Sequence, residues 1–156
     1  MSTRRAFLIG SARCAVAACA LSFGGELAGL PIFEIEARAD GVEKRYPVPA
    51  GDSVSIDRST SLILVRKGTF VYAFSLACPH EQAAVKWVAN AGRFQCTKHD
   101  SRYDPIGVHT AGRATRNLDR FPVHRDGKDV VVDTSKVWRS DQNPTEWNAA
   151  AASASA

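Results

Sequence analysis

Thiols are scarce in this chain, and the scarcity narrows its reading. Four cysteines and four histidines occur among 156 residues. Cys14 and Cys19 fall in an N-terminal leader, so the rest of the chain keeps only Cys78 and Cys96. Two thiols cannot make the disulfide framework of a small secreted scaffold. A single Cys78–Cys96 disulfide would leave the histidines beside them unexplained. Long apolar runs are missing too. The longest charge-free stretch of the leader, Cys14 to Gly25, has twelve residues, short of the ~20 that span a bilayer. No long amphipathic helical pattern, internal repeat or second domain is evident. The net charge of +4 owes part of its excess to leader arginines, and no aromatic pattern interleaves with the cations, which argues against nucleic acid.

Cys78-Pro79-His80 and Cys96-Thr97-Lys98-His99 stand fifteen residues apart. Each run sets one soft thiolate beside one imidazole on a tight turn. Two thiolates and two imidazoles can close a tetrahedral zinc site. They can also hold one [2Fe–2S] cluster, with two Cys on one iron and two His on the other. Zinc fingers usually place a Cys pair first and a His pair second. His124 lies in an alternating run and reads as a surface residue, whereas His109 follows the second ligand turn without matching a ligand position.

The N-terminus carries Ser2-Thr3-Arg4-Arg5-Ala6-Phe7-Leu8, which resembles a twin-arginine export motif. An Ala-rich apolar stretch from Ala6 to Gly25, broken by Arg13, completes a signal-like pattern. Ala37-Arg38-Ala39 before Asp40 is an A-x-A-like cleavage site. An uncut leader would instead anchor the chain to the membrane, and Val16-Ala17-Ala18-Cys19 looks like a lipobox, although Arg13 sits badly within such a signal. The expected location is the periplasm or the outer face of the cytoplasmic membrane. Residues 1–39 are thus expected to be a signal peptide or anchor, 40–138 one domain, and 139–156 an Ala/Ser-rich, disordered tail, with the region of Trp138 and Trp147 able to pack back.

Within the domain, Ser61–Val65 and Phe70–Phe74 flank Lys67-Gly68-Thr69; Val85–Val88 and Arg93–Cys96 flank an Asn-Ala-Gly turn; Phe121–Arg125 and Val130–Asp133 flank Asp126-Gly127. These patterns predict antiparallel hairpins in an all-β domain, with both ligand pairs in loops beside strands.

The pattern C-x-H, fifteen residues, C-x-x-H resembles the Rieske family, over about Leu62 to Asp133. The resemblance implies an antiparallel fold with a small cluster-binding subdomain inserted in a β base. It also implies one [2Fe–2S] cluster per chain, held by Cys78, His80, Cys96 and His99. Ser101 and Tyr103, two and four positions past the second His, match hydroxyl residues that donate to cluster sulfur in high-potential members. Neutral imidazoles in place of thiolates raise the potential from about −400 mV to roughly −150 to +300 mV. They also couple the electron to a proton, and they would form the edge where electrons enter or leave.

Departures from the cytochrome bc type accompany the match. Ala83 and Lys98 occupy the positions of its bracing disulfide, Glu81 replaces an apolar shield, and Gly112-Arg113-Ala114 replaces a Gly-Pro-Ala loop. The pattern is closer to disulfide-free ferredoxin and oxidase-subunit types. The resemblance therefore implies a non-enzymatic electron carrier, partner to a c-type cytochrome or subunit of a larger oxidoreductase, such as a periplasmic molybdenum oxidase. The alternatives are a quinol-oxidising subunit and a zinc-stabilised binding module. A complete oxygenase is excluded, since only His109 and His124 remain for a second iron. Six cations against three anions between Arg93 and Arg120 would suit an acidic partner if they surround the site.

Overall fold

The computed structural model describes residues 43–155; the leader, its motifs and its cleavage site lie outside them. The described chain runs through β1 (Glu43–Pro47), β2 (Ser53–Asp57), β3 (Leu62–Lys67), β4 (Phe70–Ser75), β5 (Val85–Val88), β6 (Arg93–Cys96), β7 (Arg102–Tyr103), β8 (His109–Ala111), β9 (Val123–Asp126), β10 (Asp129–Asp133), α1 (Pro144–Ala149) and β11 (Ala152–Ser153). Among the described residues no helix is long and apolar enough to cross a membrane.

Among the described residues all strand pairings are antiparallel and build three sheets, ordered β1-β10-β9, β11-β4-β3-β2 and β5-β6-β7-β8. The third sheet occupies the stretch of chain between β4 and β9. A small antiparallel unit is therefore inserted into a larger β base, as expected. The three expected hairpins form. In the last, Asp126 pairs with Asp129, and Gly127 at φ 59° supplies the positive dihedral that a two-residue hairpin turn needs.

The run Leu62-Ile63-Leu64-Val65 is apolar at every position because β3 is covered on both faces. Ile63 and Val65 belong to one core with Phe74, Cys78, Val85, Phe94, Cys96, Tyr103 and Leu118. Leu62 and Leu64 belong to the other with Val71, Ala73, Phe121, Val130 and Val132. β3 is thus the wall between two cores, and the first of these contains both motif cysteines.

The C-terminal segment corrects the expectation of a disordered tail. Trp147 on α1 is buried, and its Nε1 donates to Leu118 O at 2.8 Å. Arg120 is only 3% exposed; its guanidinium lies 3.6 Å from the Trp147 ring centroid and donates to Trp147 O and Ile106 O. Burial pulls the pKa of Arg120 down to about 10. β11 then adds to the edge of β4, pairing Ala152 with Val71. Ala152 and Ala154 are buried in the second core. The small residues are seated against the base by anchors on either side, so their low complexity does not signal disorder.

Candidate metal centre

Both ligand runs sit at the end of the inserted sheet, and backbone hydrogen bonds shape their loops. In the first, Cys78 N donates to Ala83 O at 2.8 Å and Gln82 N to Cys78 O at 2.9 Å. In the second, Cys96 N donates to Ser101 O at 2.9 Å. Thr97 fastens one loop to the other, since its N and its Oγ1 both donate to Ala84 O, at 2.9 and 2.8 Å. Where a disulfide between residues 83 and 98 is absent, this double hydrogen bond links the same loops. Sequence reading passed over Thr97, because nothing local distinguishes a clamping threonine from a solvated one.

A third segment closes over the second loop. Gly112, at φ 94°, lies so close that a Cβ there would stand 2.4 Å from Ser101 Cα and 2.5 Å from Ser101 N. Only glycine permits that approach. Two residues on, Ala114 N donates to Ser101 Oγ at 3.0 Å. The Gly112-Arg113-Ala114 stretch therefore covers the site despite lacking proline.

The four expected donors lie on these two neighbouring loops, which Thr97 joins. Cys78 and Cys96 are buried and free, so they form no disulfide. The rings of His80 and His99 meet edge to face, with centroids 4.8 Å apart. Their side chains are 25% and 18% exposed, so the pair forms the solvent-facing rim. His99 Nδ1 lies 3.9 Å from Cys96 Sγ, and His80 Nδ1 is buried without a hydrogen-bond partner. A buried imidazole nitrogen without a hydrogen-bond partner is costly unless something binds there. The donor set fits a mixed thiolate–imidazole metal group.

The two expected hydroxyl residues stand behind the thiols. Tyr103 is fully buried, and its OH is 3.2 Å from Cys78 Sγ. Burial, then the Cys78 contact and the two thiolate charges, push its pKa far above the usual phenol value, so the phenol keeps its proton. Ser101 is also fully buried; its Oγ accepts from Ala114 N and its hydroxyl lies against that of Tyr103. His109 packs against the Tyr103 ring at 5.6 Å, behind the site rather than among the four donors. His124 is exposed on β9, as read.

The expected cationic face is smaller than the sequence count suggests. Arg120 is buried under Trp147. Arg116 is largely covered and paired with Asp119 and Asp141. Arg93, Lys98, Arg102 and Arg113 remain, of which Lys98 and Arg113 share an open cleft with His99, Gln95 and Asp100. Counting charges along the chain treated every cation as solvated, and two of the six are structural.

An antiparallel insertion presenting two buried thiols and two rim imidazoles defines a class of metalloprotein with mixed Cys/His ligation. Residues 42–122 match the Rieske [2Fe–2S] domain, and the chain belongs to that family. Its cofactor is a [2Fe–2S] cluster, a group that carries electrons. A cytochrome b6-f complex iron–sulfur subunit from Synechococcus sp. (strain RCC307) is 31% identical over 75 residues, 47% of this chain and 42% of the relative. The chain thus matches less than half the length of that relative. A 3-phenylpropionate/cinnamic acid dioxygenase ferredoxin subunit from Shigella boydii serotype 4 (strain Sb227) is 28% identical over 89 residues, 55% of this chain and 84% of the relative. Among solved structures, the cyanobacterial plasma membrane Rieske protein PetC3 from Synechocystis PCC 6803 aligns with a TM-score of 0.45 and 22% identity, over 53% of this chain and 86% of that one.

Proposed function

We propose that this chain is an exported one-electron carrier in which Cys78 and Cys96 hold one iron of the cluster and His80 and His99 the other. The observation that supports the assignment is a pair of free buried thiols on clamped neighbouring loops with two imidazoles in ring contact, His99 Nδ1 beside Cys96 Sγ and His80 Nδ1 buried and unpartnered. When bound, the mixed-ligand [2Fe–2S] group supplies reversible one-electron chemistry at a potential above that of an all-thiolate cluster. Tyr103 holds its proton and offers it to Cys78 Sγ. Ser101, fixed by Ala114 N, stands against the Tyr103 hydroxyl as the second hydroxyl that tunes the site. His80 and His99, partly exposed, are the edge through which a partner exchanges electrons.

The partner we infer is an acidic redox protein, a c-type cytochrome or a subunit of a larger oxidoreductase. Lys98 and Arg113 beside His99 support that reading, because complementary charge speeds encounter. Export by the twin-arginine route is supported by Arg4-Arg5 and the Ala-rich stretch after them. A route that carries folded proteins also suits a cofactor inserted before crossing. Cell fractionation with mass measurement tests this: a periplasmic product starting at Asp40 supports cleavage, and an R4K/R5K chain should stay inside. A cytoplasmic, uncut wild-type chain would refute export.

The test of the cofactor assignment is EPR after dithionite reduction, beside iron and zinc assays. A rhombic signal with the low average g of a mixed Cys/His centre, lost in H80C or H99C, is expected. An EPR-silent protein holding one zinc would overturn the electron-transfer assignment.

A further inference from the structure

The turn that follows the first ligand pair lifts a carboxylate onto the rim. Gln82 takes a left-handed φ of 57°, and its N–H bonds back to Cys78 O, so the chain reverses directly after Glu81. The Glu81 side chain is 55% exposed, yet its Oε2 lies 3.4 Å from His99 Nε2 and its Oε1 3.9 Å from His80 Nε2. The other ring nitrogens face the opposite way, His80 Nδ1 buried and His99 Nδ1 toward Cys96 Sγ. One carboxylate therefore faces the outer nitrogens of both imidazoles while the inner nitrogens face the metal position.

We propose that Glu81 is a positioning residue that holds both rings in this orientation and sets the reduction potential of the site. This inference rests on the cluster assignment above. Glu81 acts in two ways, and both have the same sign. A fixed negative charge at the rim opposes the arrival of an electron. Its attraction for the ring N–H groups makes the imidazoles stronger electron donors to the metal they hold. Both lower the potential relative to the same four ligands beneath an uncharged residue. In sequence, Glu81 reads as the loss of an apolar shield; in the fold, it is a charge addressed to both histidines.

Potentiometric titration of the iron-loaded full chain at pH 7 and low salt, followed by EPR, tests the proposal on wild type, E81Q, E81D and E81K. In E81Q the affinity for the electron should rise about tenfold, a positive shift of about 59 mV for one electron. E81D should stay nearer wild type than E81Q does, and E81K should move beyond E81Q in the same direction, because the effect follows charge rather than shape. An E81Q potential that is unchanged or more negative, with the EPR spectrum intact, overturns the role of Glu81 and leaves the cluster assignment standing. A wild-type chain that assembles no iron centre overturns both.

Discussion

Replacing Tyr103 with Phe removes one hydroxyl from the interior and little else. The OH lies 3.2 Å from Cys78 Sγ in a fully buried position, where no water can substitute for it. A hydrogen bond to a charged acceptor contributes about 1.5–3 kcal/mol. Only the part that grows when the site gains an electron enters the potential. If half of it does, the reduced form loses about 0.8–1.5 kcal/mol, and the potential falls by about 35–65 mV at 59 mV per 1.4 kcal/mol for one electron. The sign follows from donation: sulfur accepts more strongly when electron-rich, so removing its donor disfavours reduction. Because burial and the thiolates hold the phenol pKa far above its usual value, the hydroxyl is a donor throughout the neutral and mildly alkaline range. The difference between wild type and Y103F should therefore stay constant from about pH 6 to 10. Protein-film voltammetry across that range reads both quantities. An unchanged or raised potential in Y103F would refute the donor role, and a difference that closes as pH rises toward 10 would show that Tyr103 loses its proton.

The remaining predictions concern what holds the site in place. W147A removes a buried indole that stacks on Arg120 and donates to Leu118 O; urea unfolding should show a loss of about 3–5 kcal/mol, while the potential of protein still folded stays at the wild-type value. G112A puts a methyl group 2.4 Å from Ser101 Cα, so the melting temperature should fall by the equivalent of about 2 kcal/mol or more, and the iron centre should be lost faster to chelators. Removing the metal should raise hydrogen exchange in β5–β8 and the ligand loops, while β1-β10-β9 and the β11–β4 edge keep their protection; a uniform rise across all three sheets would contradict a local dependence.

Much of this site was legible because its chemistry is local. Cys78 with His80, and Cys96 with His99, are each doublets on a single turn, so ligand type and spacing single them out as candidates before any tertiary contact is known. The hairpins were legible for the same reason: Gly127 marks a turn between alternating strands. What the sequence hid depends on partners far along the chain. Arg120 counts as a surface cation until it meets Trp147, 27 residues later. Ala152 and Ala154 look like filler until β11 is laid beside β4, where larger side chains would crowd the second core. Glu81 looks like a missing shield because its relation to His99 exists only once residues 81 and 99 are brought together by Thr97 and Ala84.

The two cores also explain how one small domain can be both well anchored and tunable. Cys78, Cys96 and Tyr103 are not appended to the surface; they share an apolar cluster with Phe74, Phe94 and Leu118. Packing against those aromatic rings acts with the loop hydrogen bonds at Cys78 and Cys96 to fix the thiols and the phenol. The histidines and Glu81 lie outside that cluster, on the rim. Substitutions there change charge at the electron-exchange edge without opening a cavity. The C-terminal latch works from the other side: Trp147 and Arg120 bind α1 to Leu118 and Ile106, and Leu118 is itself a member of the site's core. Stability thus reaches the thiols' core through Leu118, while the potential answers to rim charge and to the Tyr103 hydroxyl on Cys78. The two properties can therefore change in separate residues.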